Sequence, residues 1–288
     1  GGRLGQRAED DSTISGLDVV PRHYQESMLE ALDAERTVHD RHRNLLVAAT
    51  GTGKTVVAAL DYRRLAQQLG TPGEPPSLLF VAHRAEILRQ SRRTFREVLK
   101  DRTFGELYVA GSRPERWKHV FASVQSLSAY GPQQIPAGAF DVVIMDEFHH
   151  AEAPTYRRLL DHLQPKELLG LTATPERADG TDVRVSFFDG RAAYELRLGD
   201  ALAAEILSPF HYFGIADDVD LSRVEWKRGR YDEGQLSELF TGNDARARLV
   251  LSQLRDKVID VRSMRGLGFC VSVAHAQYMA GVFEAAGI

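Results

Sequence analysis

Ala48-Ala49-Thr50-Gly51-Thr52-Gly53-Lys54-Thr55 links a short apolar run to a helical pattern. Those residue types in that order could cradle phosphate. Glycines let the backbone curl so that successive N–H groups face phosphate oxygens, and the start of the following helix adds partial positive charge. Thr50, Gly51, Thr52 and Gly53 would line the cradle, Lys54 would reach the terminal phosphates, and the Thr55 hydroxyl would ligate Mg²⁺. The general pattern has glycine where this chain has Ala48. On pattern alone, a glycine-rich turn without a ligand stays open, and other residues must decide.

Asp146 and Glu147 stand just beyond the apolar run Phe140 to Met145. Ligand chemistry gathers at the carboxyl ends of strands in open α/β sheets. A carboxylate there can hold Mg²⁺ while its neighbour takes a proton from an attacking water, which assigns the metal to Asp146 and the base to Glu147. Two buried adjacent acids also call for a cation to neutralise them. His149 and His150 follow. Adjacent histidines on a short turn diverge and no cysteine is near to complete a tetrahedral set, so hydrogen bonding at the nucleotide edge is the better reading than zinc.

These residues need a scaffold, and the periodicity supplies one. Short apolar runs at Leu45 to Ala48, Leu78 to Ala82, Leu107 to Ala110, His119 to Ala122, Phe140 to Met145 and Leu168 to Thr172 alternate with helical patterns that run through Leu65 and Leu99. That alternation predicts a doubly wound parallel sheet covered on both faces, the α/β class. The expected organisation is a polar tail over 1–18, the α/β domain over 19–210, a mostly helical connector over 211–265, and the start of a second α/β domain over 266–288. Within the connector, Asp232 to Phe240 and Asp244 to Val261 read as helices; after it come a strand at Leu267 to Val273 and a helix at Ala274 to Ala286. Thr71 to Pro76 reads as an exposed loop.

Composition narrows the partners. Lys plus Arg number 36 against 40 for Asp plus Glu, a net charge of -4, so the chain is no polycation and any nucleic-acid groove must be local. Cys270 is the single cysteine, which excludes an internal disulfide and makes the cytoplasm the default location. No apolar stretch approaches the ~20 residues of a membrane span.

Six signals stand in one order. They are Arg22-His23-Tyr24-Gln25; Ala48 to Thr55; Val81-Ala82-His83-Arg84; Ser123-Val124-Gln125-Ser126-Leu127; Asp146-Glu147-Phe148-His149; and Leu171-Thr172-Ala173-Thr174-Pro175. Together they resemble the motifs of superfamily 2 helicases of the DEAD/DEAH type, in which the phosphate loop commonly begins with Ala. Phe148 departs from the Ala of the DEAH spelling and leaves the subfamily open. The resemblance implies a RecA-like fold, ATP and Mg²⁺ as cofactors, and nucleic acid as partner. DNA is favoured over RNA because the Arg22 to Gln25 signal and the DEFHH spelling resemble bacterial repair and restriction-type members. It further implies that Gln25, aided by Arg22, reads the adenine edge, and that Thr172 and Thr174 couple nucleotide state to the bound strand, with His149 bridging the two functions. Leu267 to Ala276, with Phe269, Ser272 and His275, resembles motif IV. The family's remaining motifs, with the arginine that reaches the γ-phosphate, are expected beyond Ile288, with Arg177 or a connector arginine as the alternatives within the chain. Residues 1–288 alone are therefore expected to hydrolyse ATP weakly.

Arg84, Ser123 and Gln125 fall at strand ends where the family contacts the phosphate backbone, so little base preference is expected. Arg89, Arg92, Arg93 and Arg96 share a helix face that reads as a solvated charged surface. Lys227, Arg228 and Arg230 beside Trp226 and Tyr231 read as a hinge face before a nucleic-acid contact. Two other classes compete. A small-molecule P-loop kinase should lack the Thr172 to Pro175 signal, and a nucleotide-gated scaffold has no use for Glu147 beside Mg²⁺.

Overall fold

The computed structural model describes residues 14–71, 74–109, 111–151, 153–176, 180–227 and 230–288. Ala110, Arg177, Arg228 and the polar segment before residue 14 lie outside them. The chain divides into two compact units, one ending at Pro209 and one starting at Phe210.

The first unit runs α1 (His23–Thr37), β1 (Arg43–Ala48), α2 (Lys54–Leu69), β2 (Leu78–Ala82), α3 (Ala85–Leu99), β3 (Glu106–Tyr108), β4 (His119–Ser123) and α4 (Val124–Tyr130). It continues with β5 (Val142–Met145), α5 (Pro154–His162), β6 (Glu167–Thr172), α6 (Val183–Phe187), β7 (Tyr194–Leu196) and α7 (Leu198–Ala203). The strands form one seven-stranded sheet in the order β3-β4-β2-β5-β6-β1-β7. Every pairing in it is parallel. This is the predicted doubly wound α/β architecture.

Alternation along each strand explains why both faces are covered. Leu46 and Ala48 of β1, Phe80 of β2 and Ile144 of β5 belong to one core cluster, while Leu45 and Val47, Leu79 and Val81, and Val143 and Met145 belong to the other. Nearly continuous apolar runs are what a parallel sheet buried on both sides requires. On the first face Phe80 stacks on Phe121 at 5.4 Å and meets Phe95 edge-on at 5.8 Å. Burying one such ring contributes roughly 1.5–3 kcal/mol.

The amino edge of the sheet carries a buried ion network. Arg36 of α1 pairs bidentately with Asp61 of α2 at 2.7 and 2.8 Å and donates through Nε to Glu167 of β6 at 2.9 Å. His42 completes it at 2.6 Å from Glu167. Burial opposes the charge on Arg36, but the two carboxylates outweigh it and raise its pKa. The network ties two helices to the strand between the site residues, and it lies at the edge opposite to them.

The face of α3 is not a uniform solvated surface. Arg89 and Arg93 are exposed. Arg96 instead donates to the carbonyls of Phe104 at 2.8 Å and Gly105 at 3.3 Å, and burial pushes Arg92 down to about 10. Arg96 therefore fastens the turn into β3.

The second unit contains a hairpin of β8 (Trp226–Lys227) and β9 (Arg230–Tyr231), then α8 (Glu233–Phe240), α9 (Asp244–Lys257) and α10 (Val273–Ala285). Trp226 and Tyr231 pack edge to face at 4.7 Å, and Arg230 pairs with Glu233 at 3.3 Å. The expected strand over Leu267 to Val273 does not form: the segment is irregular, and Val273 begins α10 instead. An apolar run becomes a strand only beside another strand, and among the described residues of this unit only the short hairpin pairs. Leu267 and Phe269 are accordingly exposed.

Candidate active site

The order of the sheet brings the predicted site residues to one edge. β6 lies between β1 and β5, with Val47 level with Thr172 and Met145 level with Gly170. The phosphate loop leaves the carboxyl end of β1, Thr172 ends β6, and Asp146 follows β5. Loop and acidic pair thus stand two strand spacings apart, about 10 Å.

The loop has the backbone that its glycines permit. Gly51 and Gly53 have φ of 91° and 83°, the left-handed region that only glycine enters without strain. Thr52 ties the turn together, donating from both N and Oγ1 to the Ala49 carbonyl at 3.3 and 2.7 Å. Lys54 Nζ donates to the Ala48 carbonyl at 2.8 Å and the Ala49 carbonyl at 3.4 Å. Ala48 is fully buried, so its methyl packs in the core and leaves the loop's path unobstructed. Thr50 is exposed and Thr55, on the first turn of α2, is half-buried.

Gln25 grips this loop from α1. Its Nε2 donates to the Thr52 carbonyl at 3.1 Å, and its Oε1 accepts from the Arg22 backbone N–H at 3.0 Å. A β-carbon on Gly53 would lie 2.6 Å from Gln25 Nε2, so a side chain there would displace the Gln25 amide from the loop, besides straining the backbone at φ 83°. Tyr24 adds a second bond, from its hydroxyl, to the same Thr52 carbonyl at 3.1 Å. Arg22 is exposed beside them.

Across β6, Asp146 is buried and Glu147 half-buried. Glu147 has φ 53° and ψ 49°, a left-handed conformation that costs a non-glycine residue about 1–3 kcal/mol and tends to mark functional sites. Its N–H donates to Asp146 Oδ1 at 2.9 Å, and its carbonyl accepts from the His150 N–H at 3.0 Å. Burial, and then the charge of Glu147, raises the Asp146 pKa; Lys54 and His83 partly oppose the shift. Burial likewise lowers the pKa of Lys54, against the charges of Asp146 and Glu147. The three groups therefore feel one another across the edge.

His149 Nδ1 lies 3.2 Å from Thr172 Oγ1 and 3.3 Å from Glu147 Oε2. The Thr172 hydroxyl gives its one hydrogen to the Thr174 carbonyl at 3.0 Å, so the hydrogen between His149 and Thr172 belongs to the imidazole. Thr174 N–H returns to Thr172 Oγ1 at 3.2 Å. The DE turn is thereby bonded through His149 to Thr172 at the end of β6, and Thr172 in turn to Thr174 beyond it.

The donor set suits Mg²⁺ with a triphosphate. Thr55 and Asp146 offer hard oxygen ligands, the glycines shape a cradle, and two acids with only partial compensation favour a cation. Among the described residues no group of three or more His, Cys, Asp or Glu could hold a metal by itself.

Farther along the edge, Arg84 and Gln125 are exposed. Ser123 is buried and caps α4: its Oγ accepts from Ser126 N–H at 3.1 Å and donates to Ser126 Oγ at 2.8 Å. Sequence reasoning placed Tyr24 in its first signal without a role, and missed the left-handed backbone of Glu147 and the strand β7, whose Leu196 carbonyl receives the Ala49 N–H at 2.9 Å. None leaves a local signal: β7 is three residues long and Tyr24 matters only once α1 meets the loop.

The fold and site define a RecA-like P-loop nucleoside triphosphatase domain of the helicase type. Residues 18–177 match the family described as the type III restriction enzyme res subunit, more than half of the chain, and the protein belongs to that family. It is 26% identical over 295 residues to the type I restriction enzyme EcoAI endonuclease subunit of Escherichia coli, across 92% of this chain and 34% of the relative. It is also 26% identical over 280 residues to IRC3 of Saccharomyces cerevisiae, described as an ATP-dependent helicase, across 93% of this chain and 40% of that one. The chain thus spans well under half the length of these two relatives. A fragment described as an HsdR subunit of a type I restriction enzyme from Vibrio vulnificus YJ016 shares the fold, with a TM-score of 0.65 at 23% identity, over 97% of this chain and 48% of the other. The Type ISP restriction-modification enzyme LlaGI, solved with a DNA substrate mimic, gives 0.51 at 16% identity over 83% and 23%.

Proposed function

We propose that this chain is the ATPase core of an ATP-dependent DNA translocase or helicase. One observation carries the reading: the phosphate loop after β1 and the Asp146–Glu147 pair after β5 flank the carboxyl end of β6, and His149 joins Glu147 to Thr172 there. A kinase site needs the cradle and the acid; it has no need of a bond from the acidic turn to the end of β6.

In this reading Lys54 holds the β- and γ-phosphates, Thr50 to Gly53 supply backbone N–H groups, and Gln25 with Arg22 meets the adenine while Gln25 keeps its bond to the loop. Thr55 and Asp146 would hold Mg²⁺, whose charge neutralises that of the phosphates when bound. Glu147 orients the attacking water and accepts its proton. Arg84 and Gln125 contact the backbone of a bound strand, and Ser123 shapes that contact by starting α4. DNA is favoured by the restriction-enzyme relatives and by the DNA in the LlaGI complex. Among the described residues no helix is long and apolar enough to cross a membrane.

The test is ATP hydrolysis by the full-length protein with single-stranded DNA, duplex DNA and RNA as competing stimulators. DNA should stimulate most. Stimulation by RNA alone would overturn the choice of DNA, and a protein that fails to hydrolyse ATP under every condition would overturn the whole reading.

A further inference from the structure

We infer that His83 and His150 are positioning residues that couple a strand held at Arg84 to the carboxylate of Glu147, an inference that rests on the translocase reading above. The route is a series of contacts along the carboxyl edge from β2 to β6. Arg84 Nε donates to His83 Nε2 at 3.1 Å. The His83 ring meets His150 edge to face at 5.4 Å, and His150 meets His149 at 4.2 Å. His149 reaches Glu147 Oε2 at 3.3 Å and Thr172 Oγ1 at 3.2 Å. His150 also acts through the backbone, because its N–H closes the turn that holds Glu147 left-handed.

A coupled pair of sites needs an element with two arrangements, and this cluster has the means for a second. Because His83 Nε2 accepts from Arg84, a neutral ring carries its hydrogen on Nδ1, and that buried atom has no hydrogen-bond partner. The buried Tyr156 hydroxyl is also without one. Both residues line a cavity of about 240 Å³ together with Gln125 and His150. Buried donors with unmet bonds and room to turn favour any rearrangement that satisfies them. When the Arg84 guanidinium swings to a strand phosphate, its N–H leaves His83 Nε2. His83 then loses the bond that sets its tautomer, and its contact with His150 readjusts. The shift reaches Glu147 twice, through the His149 ring and through the His150 N–H, with no covalent bond made or broken.

The experiment compares basal and DNA-stimulated hydrolysis in the full-length protein and in His83→Leu. Basal turnover and nucleotide-free DNA affinity should stay within about twofold of wild type while stimulation falls about tenfold or more, within the range of ordinary coupling energies. His83→Gln, whose side-chain oxygen can still accept from Arg84, should recover part of the stimulation; a purely structural role predicts no such rescue. His83→Leu/His150→Leu should lose no more stimulation than the worse single variant, because members of one route are not additive. His150 is exposed, so His150→Leu carries the test if His83→Leu does not fold. Stimulation retained within about twofold in the single variants, or losses that multiply in the double variant, would overturn the coupling. A wild type that neither DNA nor RNA stimulates would defeat the translocase reading, and the inference with it; a stimulated wild type with unaffected variants defeats the inference alone.

Discussion

Phe148 occupies the space that a side chain on Gly170 would need: a β-carbon there would lie 2.6 Å from Phe148 Cδ2 and 2.9 Å from Leu45 Cδ1. Phe148 is fully buried and packs against Phe187 at 5.4 Å and Phe188 at 4.8 Å. The aromatic ring between Glu147 and His149 thus anchors the acidic turn to the middle of β6, and a bare backbone position receives it. A small residue at position 148 would leave that space open.

Gly170→Ala should therefore destabilise the protein by about 1–3 kcal/mol, the usual cost of overpacking. Phe148→Ala alone should cost about 3–5 kcal/mol. The double variant should be more stable than the sum of the two losses predicts, since the second change removes the clash made by the first. Urea unfolding of the four proteins measures the cycle, and additive losses would show that the two positions do not share this space.

Glu147→Gln should retain Mg²⁺-ATP binding and lose turnover by about 10² to 10⁴-fold, the contribution of a positioned general base. The amide keeps the shape of the side chain and the left-handed backbone. Single-turnover hydrolysis next to equilibrium nucleotide binding separates the two effects. Turnover within a few fold of wild type would remove Glu147 from the chemistry.

Lys54→Ala should lose nucleotide affinity itself. Its ammonium is half-buried among the Ala48 and Ala49 carbonyls, with Asp146 and Glu147 as its opposing charges. Removing it takes away a phosphate contact and leaves the acids less compensated. Calorimetry with ATP should show the weakening, and unchanged affinity would contradict the phosphate-loop assignment.

His119 makes stability depend on pH. Its ring stacks on Phe104 at 4.4 Å, and burial, followed by the nearby Lys118 charge, lowers its pKa to about 4. The unfolded chain protonates near 6.5, so the unfolded state binds the proton first as pH falls. The associated stability is fully present above 6.5 and is lost progressively down to about 4. His119→Phe keeps an aromatic stack without the titration. Its melting temperature should fall less than that of wild type between pH 7 and pH 5, and equal falls would assign the acid sensitivity elsewhere.

Much of the site was legible in the chain because its chemistry is local. Gly51 and Gly53 permit a loop that other residues resist, and Lys54 and Thr55 begin the helix that the loop feeds. Asp146-Glu147 follows, and Thr172 ends, the apolar runs that became β5 and β6. The run Leu78 to Ala82 became β2 residue for residue, since a doubly buried strand has no polar position to blur its ends. By contrast, Leu267 to Val273 carried the same apolar signal and formed no strand, because a strand is completed by its neighbour.

The residue types and their spacing determined the α/β class, the phosphate cradle, the acidic pair and the threonines at and just beyond the end of β6. Only the tertiary structure decided how these parts meet: that Gln25 grips Thr52 and that Phe148 fits against Gly170. The physical reason is distance along the chain. A phosphate loop is written in eight consecutive residues, whereas each of the Gln25 and Phe148 contacts joins residues more than twenty positions apart. Such a contact depends on which helix covers which strand, and short-range periodicity holds no record of that choice.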